Sequence, residues 1–168
     1  KKTGTSITFQ ADPSIFDTIE FHWKKILNRL RQQAYLTKGI KITIVDKREK
    51  EQISYEFYFE GGIASYVKHL NQHKDVKHET VFYIEKEQDD VNVEVALQYN
   101  NDYQEEVFTF ANNIHTPEGG MHLAGFKTAL TRTLNSYARK KNILKEKDPN
   151  LTGDDVREGL TTVISVKV

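Results

Sequence analysis

The sequence predicts a two-part α+β or α/β fold, and three observations carry the reading. Stretches with period-two alternation or β-branched runs are interleaved with stretches of helical period. Two double glycines, Gly61-Gly62 and Gly119-Gly120, break the pattern directly before helical segments, and the first places a boundary near residue 61. Hydrophobic residues form 38% of the 168-residue chain and charged residues 29%, which supplies a core under a polar surface.

Taken in order, residues 5–11 alternate, with Ile7 and Phe9 on one face, and read as a strand that ends in a turn through Asp12 and Pro13. Asp17 and Glu20 have the spacing of a capping box, where the first side chain accepts from an orphan N–H and the second reaches back. Behind them Ile19, Trp23, Ile26, Leu27, Leu30 and Ala34 recur at helical spacing up to Gly39. Two strands flank the charged turn 47–51, and a short helix follows the first glycine pair with Ile63, Tyr66, Val67 and Leu70 on one side. Residues 79–86, 91–99 and 105–111 read as strands. In the second of these, Val91, Val93, Val95 and Leu97 form a dry face, and Asn92, Glu94 and Gln98 form a face that is wet or covered by polar neighbours. A long helix over about 118–143, a polar loop 145–153, a helical turn at 154–159 and a strand over 161–168 complete the chain.

Charge and composition exclude several classes. Lys and Arg number 24 against 24 Asp and Glu, so a neutral total gives no long-range steering toward nucleic acid, and any DNA contact has to come from local clustering. The absence of cysteine removes disulfides and thiolate metal sites and fits a cytoplasmic protein. No apolar run approaches the roughly 20 residues that span a bilayer, so no membrane partner is expected. The chain lacks an initiator Met and stops inside a β-branched run, so both ends read as cut.

The long helix carries two stripes. Leu123, Phe126, Leu130, Leu134 and Tyr137 fall on one side and read as its core face. Opposite them lie Thr128, Arg132, Asn135 and Arg139, with Lys140 and Lys141 at the end, where positive charge also suits the helix dipole. This row is either the solvated face of any surface helix or a row aimed at phosphates, since Arg forks onto phosphate oxygens and Thr and Asn can donate to the same backbone. The lack of any acidic residue from 119 to 145 tilts the balance toward the second.

Other candidate chemistry is thin. Neither glycine pair matches a dinucleotide or P-loop pattern, so both read as backbone devices. His69, His73 and His78 have a formal metal-ligand spacing without an accompanying HExxH pattern, and no metal is expected. His115 and His122 flank the second glycine pair with no nucleophile positioned beside them. Asp89-Asp90 and Asp154-Asp155 sit where acids favour turns and helix starts. Composition and spacing by themselves give no catalytic residue.

Several stretches nevertheless closely resemble, in order, the bacterial DNA gyrase B family, whose relative is the B-type subunit of topoisomerase IV. They are TGTSITFQAD, RLRQQAYLTKGIKITIVDKR, YFEGGIASYVKHLN, VEVALQYN, ANNIHTPEGGMHLAGFKTALTRTLNSYARK and TGDDVREGLTTVISVKV. The resemblance implies that residues 1–60 are the end of a GHKL-type ATPase domain and that 61–168 are most of a transducer domain, cut before its Gln-Thr-Lys loop. It implies a four-stranded transducer sheet with helices on one face and a left-handed β-α-β crossover, against the usual right-handed rule. The implied activity is that of an ATP-dependent type II topoisomerase, using ATP and Mg²⁺ in the full-length protein, with this stretch alone inactive. Gly4, Thr5 and Ile7 match part of an adenine pocket, and Thr128, Arg132, Asn135 and Arg139 match a helix lining a DNA cavity. Implied partners are double-stranded DNA of any sequence, the gyrase A protein and a second copy of the B protein joined on ATP binding. The alternatives are a non-enzymatic nucleic-acid-binding module and the transducer-like part of a MutL-type repair ATPase.

Overall fold

A computed structural model describes residues 3–168. Lys1 and Lys2, with which the first expected domain begins, lie outside the described residues. The elements run α1 (Trp23–Leu36), β1 (Lys41–Asp46), β2 (Ile53–Tyr58), α2 (Gly62–Leu70), β3 (Phe82–Gln88), β4 (Val91–Tyr99), β5 (Glu106–Ala111), β6 (Ile114–His115), α3 (Met121–Lys140), α4 (Gly153–Arg157) and β7 (Leu160–Lys167). β1 and β2 form an antiparallel hairpin of their own, and the other strands form one sheet in the order β3-β4-β7-β5-β6.

β7 organises that sheet. It pairs antiparallel with β4 and parallel with β5, so the chain must cross over between β5 and β7, and α3 and α4 make that connection. Its residues are buried on both sides: Thr161, Val163 and Ser165 on one face, Leu160, Thr162 and Ile164 on the other. A strand buried on both faces reads as a continuous β-branched run, which LTTVISV is. Both faces therefore carry cover, and the expectation of helices on one face alone is not met. α1 and α2 cover the face of Ala96, Phe110 and Val163. On the opposite face the Tyr99 hydroxyl donates to the Val156 carbonyl of α4 at 2.7 Å, and α3 packs along β7.

The main core joins the two halves of the chain. Tyr35 and Leu36 at the end of α1 pack with Ile63, Tyr66 and Val67 of α2 and with Val81, Ala96, Phe110 and Val163. The Tyr35 ring lies stacked between Phe59, at 3.7 Å between centroids, and Tyr66, at 4.8 Å. Burying each such side chain contributes roughly 1.5–3 kcal/mol. Under the end of α2 a polar network closes the core: Asn71 donates to Gln98 at 3.0 Å, and Thr161 and Asn100 both donate to Asn71 Oδ1. Each buried amide is thereby satisfied, which removes the penalty of leaving it unpaired.

Four local expectations need correction. Residues 5–11 form no strand, and Ile7 and Phe9 are 83% and 76% exposed, because alternation stabilises a strand only where a neighbour takes its hydrogen bonds. The helix starts at Trp23 with His22 as an unbonded N-cap, so Asp17, Ile19 and Glu20 precede it and no capping box forms there. In β4 the expected dry face is not the drier one: of Val91, Val93, Val95 and Leu97 only Leu97 is buried, while on the other face Glu94 and Gln98 are buried among polar partners and Asn92 is half-buried. Last, Asn112 and Asn113 at φ 48° and 62° make a two-residue turn into the short edge strand β6, which no alternation signals and which gives the sheet five strands in place of the expected four. Asp89 and Asp90, at φ 51° and 62°, are the turn between β3 and β4.

Candidate nucleic-acid interface

α3 begins directly after Gly119-Gly120 and runs 20 residues to Lys140. Leu123, Phe126, Leu130 and Leu134 are half-buried, and Ala138 is its one fully buried side chain. Tyr137, expected on the core face, is 54% exposed, with the Lys141 ammonium 6.0 Å from its ring centre. The stripe thus holds the helix loosely, as befits a surface element with one flank on β7 and α4.

The opposite row divides in two. Thr128 and Arg132 are exposed. The Thr128 hydroxyl donates back to the Ala124 carbonyl at 2.9 Å, and Arg132 takes part in no ion pair among the described residues. Asn135 and Arg139, in contrast, serve the chain itself. Asn135 donates to the Leu151 carbonyl at 2.9 Å and accepts from the Leu151 N–H at 2.8 Å. Arg139 donates to the Lys145 carbonyl, to the Asp148 carbonyl at 2.6 Å and to Asn150 Oδ1 at 2.8 Å. A guanidinium has five N–H donors in a fixed fork. With three of its N–H groups already bonded, Arg139 shapes the loop after α3 and has two left for any other acceptor. That loop leaves Lys140, Lys141, Lys145 and Lys147 exposed beside the helix. Arg132 and these four lysines are exposed here, with Glu146 the exposed carboxylate among them.

Below them an ion-pair chain fixes α3 to its neighbours. Glu105 takes Lys127 of α3 on one oxygen at 2.6 Å and Arg157 of α4 on the other at 2.8 Å, and Arg157 also meets Asp154 at 2.7 Å. α4 starts with a true capping box in which Thr152 and Asp155 satisfy each other's backbone N–H groups, and the two bonds from Thr152 hold the Asp155 carboxyl below its ordinary pKa. Asp154 and Asp155 are therefore helix-start residues, with no acid–base pair between them.

The histidines also have structural roles. His78 Nε2 accepts from the Tyr99 N–H at 3.0 Å while its Nδ1 sits 2.7 Å from the Thr80 carbonyl, which fixes the ring as the Nδ1-protonated neutral tautomer. His69 stacks on Tyr35, and His115 packs against Phe108 and Phe110. His122 lies 3.2 Å from the Thr116 hydroxyl, which donates to the Thr109 carbonyl. No group of His, Cys, Asp and Glu among the described residues could hold a metal ion. Among the described residues, no helix is long and apolar enough to cross a membrane. Gly4, Thr5 and Ile7 are exposed on the segment before α1, and nothing lies within 4 Å of where a Gly4 side chain would start.

Comparison with known proteins decides the family. The family profile described as DNA gyrase B matches residues 62–168. The chain belongs to the DNA gyrase B family. It is 54% identical to the gyrase B protein of Halalkalibacterium halodurans over 168 residues, covering 99% of this chain and 26% of that protein. It is 53% identical to the gyrase B protein of Streptococcus pneumoniae over 167 residues, again covering 99% of this chain and 26% of that one. The chain thus spans about a quarter of the length of these gyrase B relatives. Among solved structures, the 43K ATPase domain of Thermus thermophilus gyrase B in complex with an aminocoumarin superposes with a TM-score of 0.81 at 42% identity, covering 94% of this chain and 42% of that one. The topoisomerase IV ATP-binding domain of Francisella tularensis gives a TM-score of 0.72 at 26% identity, covering 94% and 41%. Membership of the gyrase B family leaves the MutL-type and free-standing binding-module alternatives without support.

Two features of this end of the molecule were not legible in the sequence. The role of Asn135 and Arg139 as loop holders depends on where residues 145–151 fold back, which no periodicity encodes. The grip of α1 on the β5–β6 turn, where Arg29 and Gln33 donate to the Asn113 carbonyl at 3.2 and 3.0 Å, had only the Asn-Asn turn pair as a signal.

Proposed function

We propose that this chain works as part of an ATP-dependent type II DNA topoisomerase, where it couples nucleotide state to the capture of a DNA segment. In this reading residues 1–60 close the nucleotide-binding domain and 61–168 form the transducer. Gly4, Thr5 and Ile7 edge the adenine pocket of the full-length protein, whose phosphoryl chemistry uses ATP and Mg²⁺ held elsewhere in that protein. A second copy of the B protein pairs with the first on ATP binding, the gyrase A protein supplies the DNA gate, and a duplex passes along α3. The whole operates in the cytoplasm.

The observation that carries the reading is the outward row of α3 in a gyrase B family member. Arg132 stands exposed and unpaired by acid among the described residues, four exposed lysines follow at the end of the helix and in the next loop, and the helix offers no carboxylate to repel a phosphate. Contacts of this type bind backbone and not bases, so they admit any sequence and weaken with salt. The direct experiment replaces the matching quarter of Halalkalibacterium halodurans gyrase B with this chain and assays ATP-dependent supercoiling together with that organism's gyrase A. Supercoiling well above the level of a gyrase B lacking the segment supports the proposal. A folded chimera that binds gyrase A, hydrolyses ATP and yet never changes DNA linking number would overturn it.

A further inference from the structure

The β1–β2 hairpin is attached to the rest of the chain by two covalent joints, one leaving α1 through Thr37-Lys38-Gly39 and one entering α2 through Gly61-Gly62. The hairpin packs on α1 and not on the five-stranded sheet. Its position relative to that sheet is set by α1, whose Tyr35 and Leu36 are held in the core, and by the two joints, and one side chain meets both joints. Lys38 belongs to the first joint. Its stem lies across the second, since a Cβ placed on Gly62 would come within 2.6 Å of Lys38 Cγ and 2.8 Å of Cε. Gly62 also sits at φ 53°, where a side chain is strained, so this position is glycine for two independent reasons.

The far end of Lys38 is anchored in the sheet. Its ammonium lies 3.2 Å from Glu85 on β3 and 3.2 Å from Glu94 on β4, and it donates to the Tyr83 hydroxyl. The ammonium also sits 4.3 Å from the centre of the Tyr83 ring. The Tyr83 oxygen is 2.8 Å from Glu85 and 2.9 Å from Glu94, and its single proton serves one of them. Glu94 is 4% exposed, and its second oxygen takes Lys167 of β7 at 3.3 Å. A buried carboxylate flanked by two cations is a fixed post, because losing either cation leaves one of its two oxygens without a charged partner in a low dielectric. Burial works against the Lys38 charge, but the bonds from Tyr83, Glu94 and Glu85 outweigh it and raise the ammonium above its ordinary pKa.

We propose that Lys38 is the pin of a hinge, fastening both joints of the β1–β2 hairpin to β3 and β4 through buried Glu94, and that withdrawing it lets the hairpin swing as a unit. Nothing in this inference rests on the topoisomerase reading. It needs neither nucleotide nor DNA to be tested, so the two can fail separately.

The chain has no cysteine, so spin labels can be placed specifically at Glu49 in the hairpin turn and Glu87 on β3. The distance distribution between them, measured by double electron–electron resonance, reads the hinge. Lys38→Met keeps the stem and loses the charge, Glu94→Gln removes the post, and Lys38→Arg keeps both stem and charge. Expected are a narrow distribution for the parent and Lys38→Arg, about a twofold broadening for Lys38→Met, a smaller one for Glu94→Gln, which leaves Lys38 on Glu85 and Tyr83, and no broadening in the double variant beyond that of Lys38→Met, because Lys38 is already withdrawn. Gly62→Ala should broaden the distribution strongly with Lys38 present and much less in Lys38→Ala, where the stem is gone. Circular dichroism of each variant separates loosening from unfolding, and if Glu94→Gln unfolds, the two Lys38 variants decide. Unchanged distributions in folded Lys38→Met and Lys38→Ala, or additive broadening in the double variant, would overturn the proposal.

Discussion

Arg139→Ala separates the two roles an arginine on α3 can have. In the structure this guanidinium donates to the carbonyls of Lys145 and Asp148 and to Asn150 Oδ1, holding the loop between α3 and α4. Hydrogen bonds from a charged donor contribute about 1.5–3 kcal/mol each when fully buried. Here the loop acceptors lie near the surface and regain water when released, so the three together are worth about 2 kcal/mol and not their sum. At about 1.4 kcal/mol per tenfold, that loss raises local opening of the loop roughly thirtyfold. The assay is amide exchange by mass spectrometry at Lys145, whose N–H donates to Asp148, and Leu151, whose N–H donates to Asn135, with the β4–β7 ladder as internal control. Loop exchange should accelerate while the ladder stays protected, and Arg139→Lys should recover only part of the protection because a single ammonium cannot span three acceptors. If loop exchange is unchanged and DNA affinity falls as much as for Arg132→Ala, Arg139 acts on DNA directly and the assignment is wrong.

Three further predictions concern the fold. Phe110 is fully buried beside Val163 and Ala96, so Phe110→Ala should cost about 3–5 kcal/mol in denaturant unfolding, and a loss below about 1 kcal/mol would mean this core is not the main one. Gly159 sits at φ 67°, where a Cβ would clash with the backbone carbonyl oxygens of Asn100 and Asp102, so Gly159→Ala should destabilise by more than about 2 kcal/mol, read by thermal unfolding, where an exposed loop glycine would lose little. Bonds from Tyr83, Asn92 and Lys38 hold the Glu85 carboxyl down at about 2 in the folded chain, against 4.5 for the free group. Its contribution is therefore complete above about pH 4.5 and lost as pH falls toward 2, and because Glu85 is half-exposed the loss is modest; Glu85→Gln should flatten the acid limb of the stability curve over that window.

The parts of the fold legible in the sequence are those where a pattern is local. α2 shows its Ile63, Tyr66, Val67 and Leu70 stripe and buries it, and β7 shows a β-branched run and is buried on both faces. Misreadings arise where partners are distant. Ile7 and Phe9 alternate as a strand does, yet their segment pairs with nothing in the described chain. Alternation in β4 defines two faces without saying which is covered, and the polar one is, because Glu94 and Gln98 find bonding partners on Lys38, Lys167 and Asn71. The same limit governs the site. The α3 row is visible at 100° per residue, but its division into exposed Arg132 and engaged Arg139 depends on a loop that returns six to eleven positions later. Lys38 had no local signal at all, since its partners lie 45 and 47 positions away on β3 and further still on β4.

The most direct measurement compares Arg132→Ala with the parent in the gyrase chimera, following basal and DNA-stimulated ATP hydrolysis and the salt dependence of DNA binding. Expected are intact basal hydrolysis, a severalfold loss of DNA stimulation, and a salt slope shallower by about 0.9 for the one phosphate contact removed. Equal loss of basal and stimulated hydrolysis with an unchanged slope would show that Arg132 supports the fold and meets no DNA.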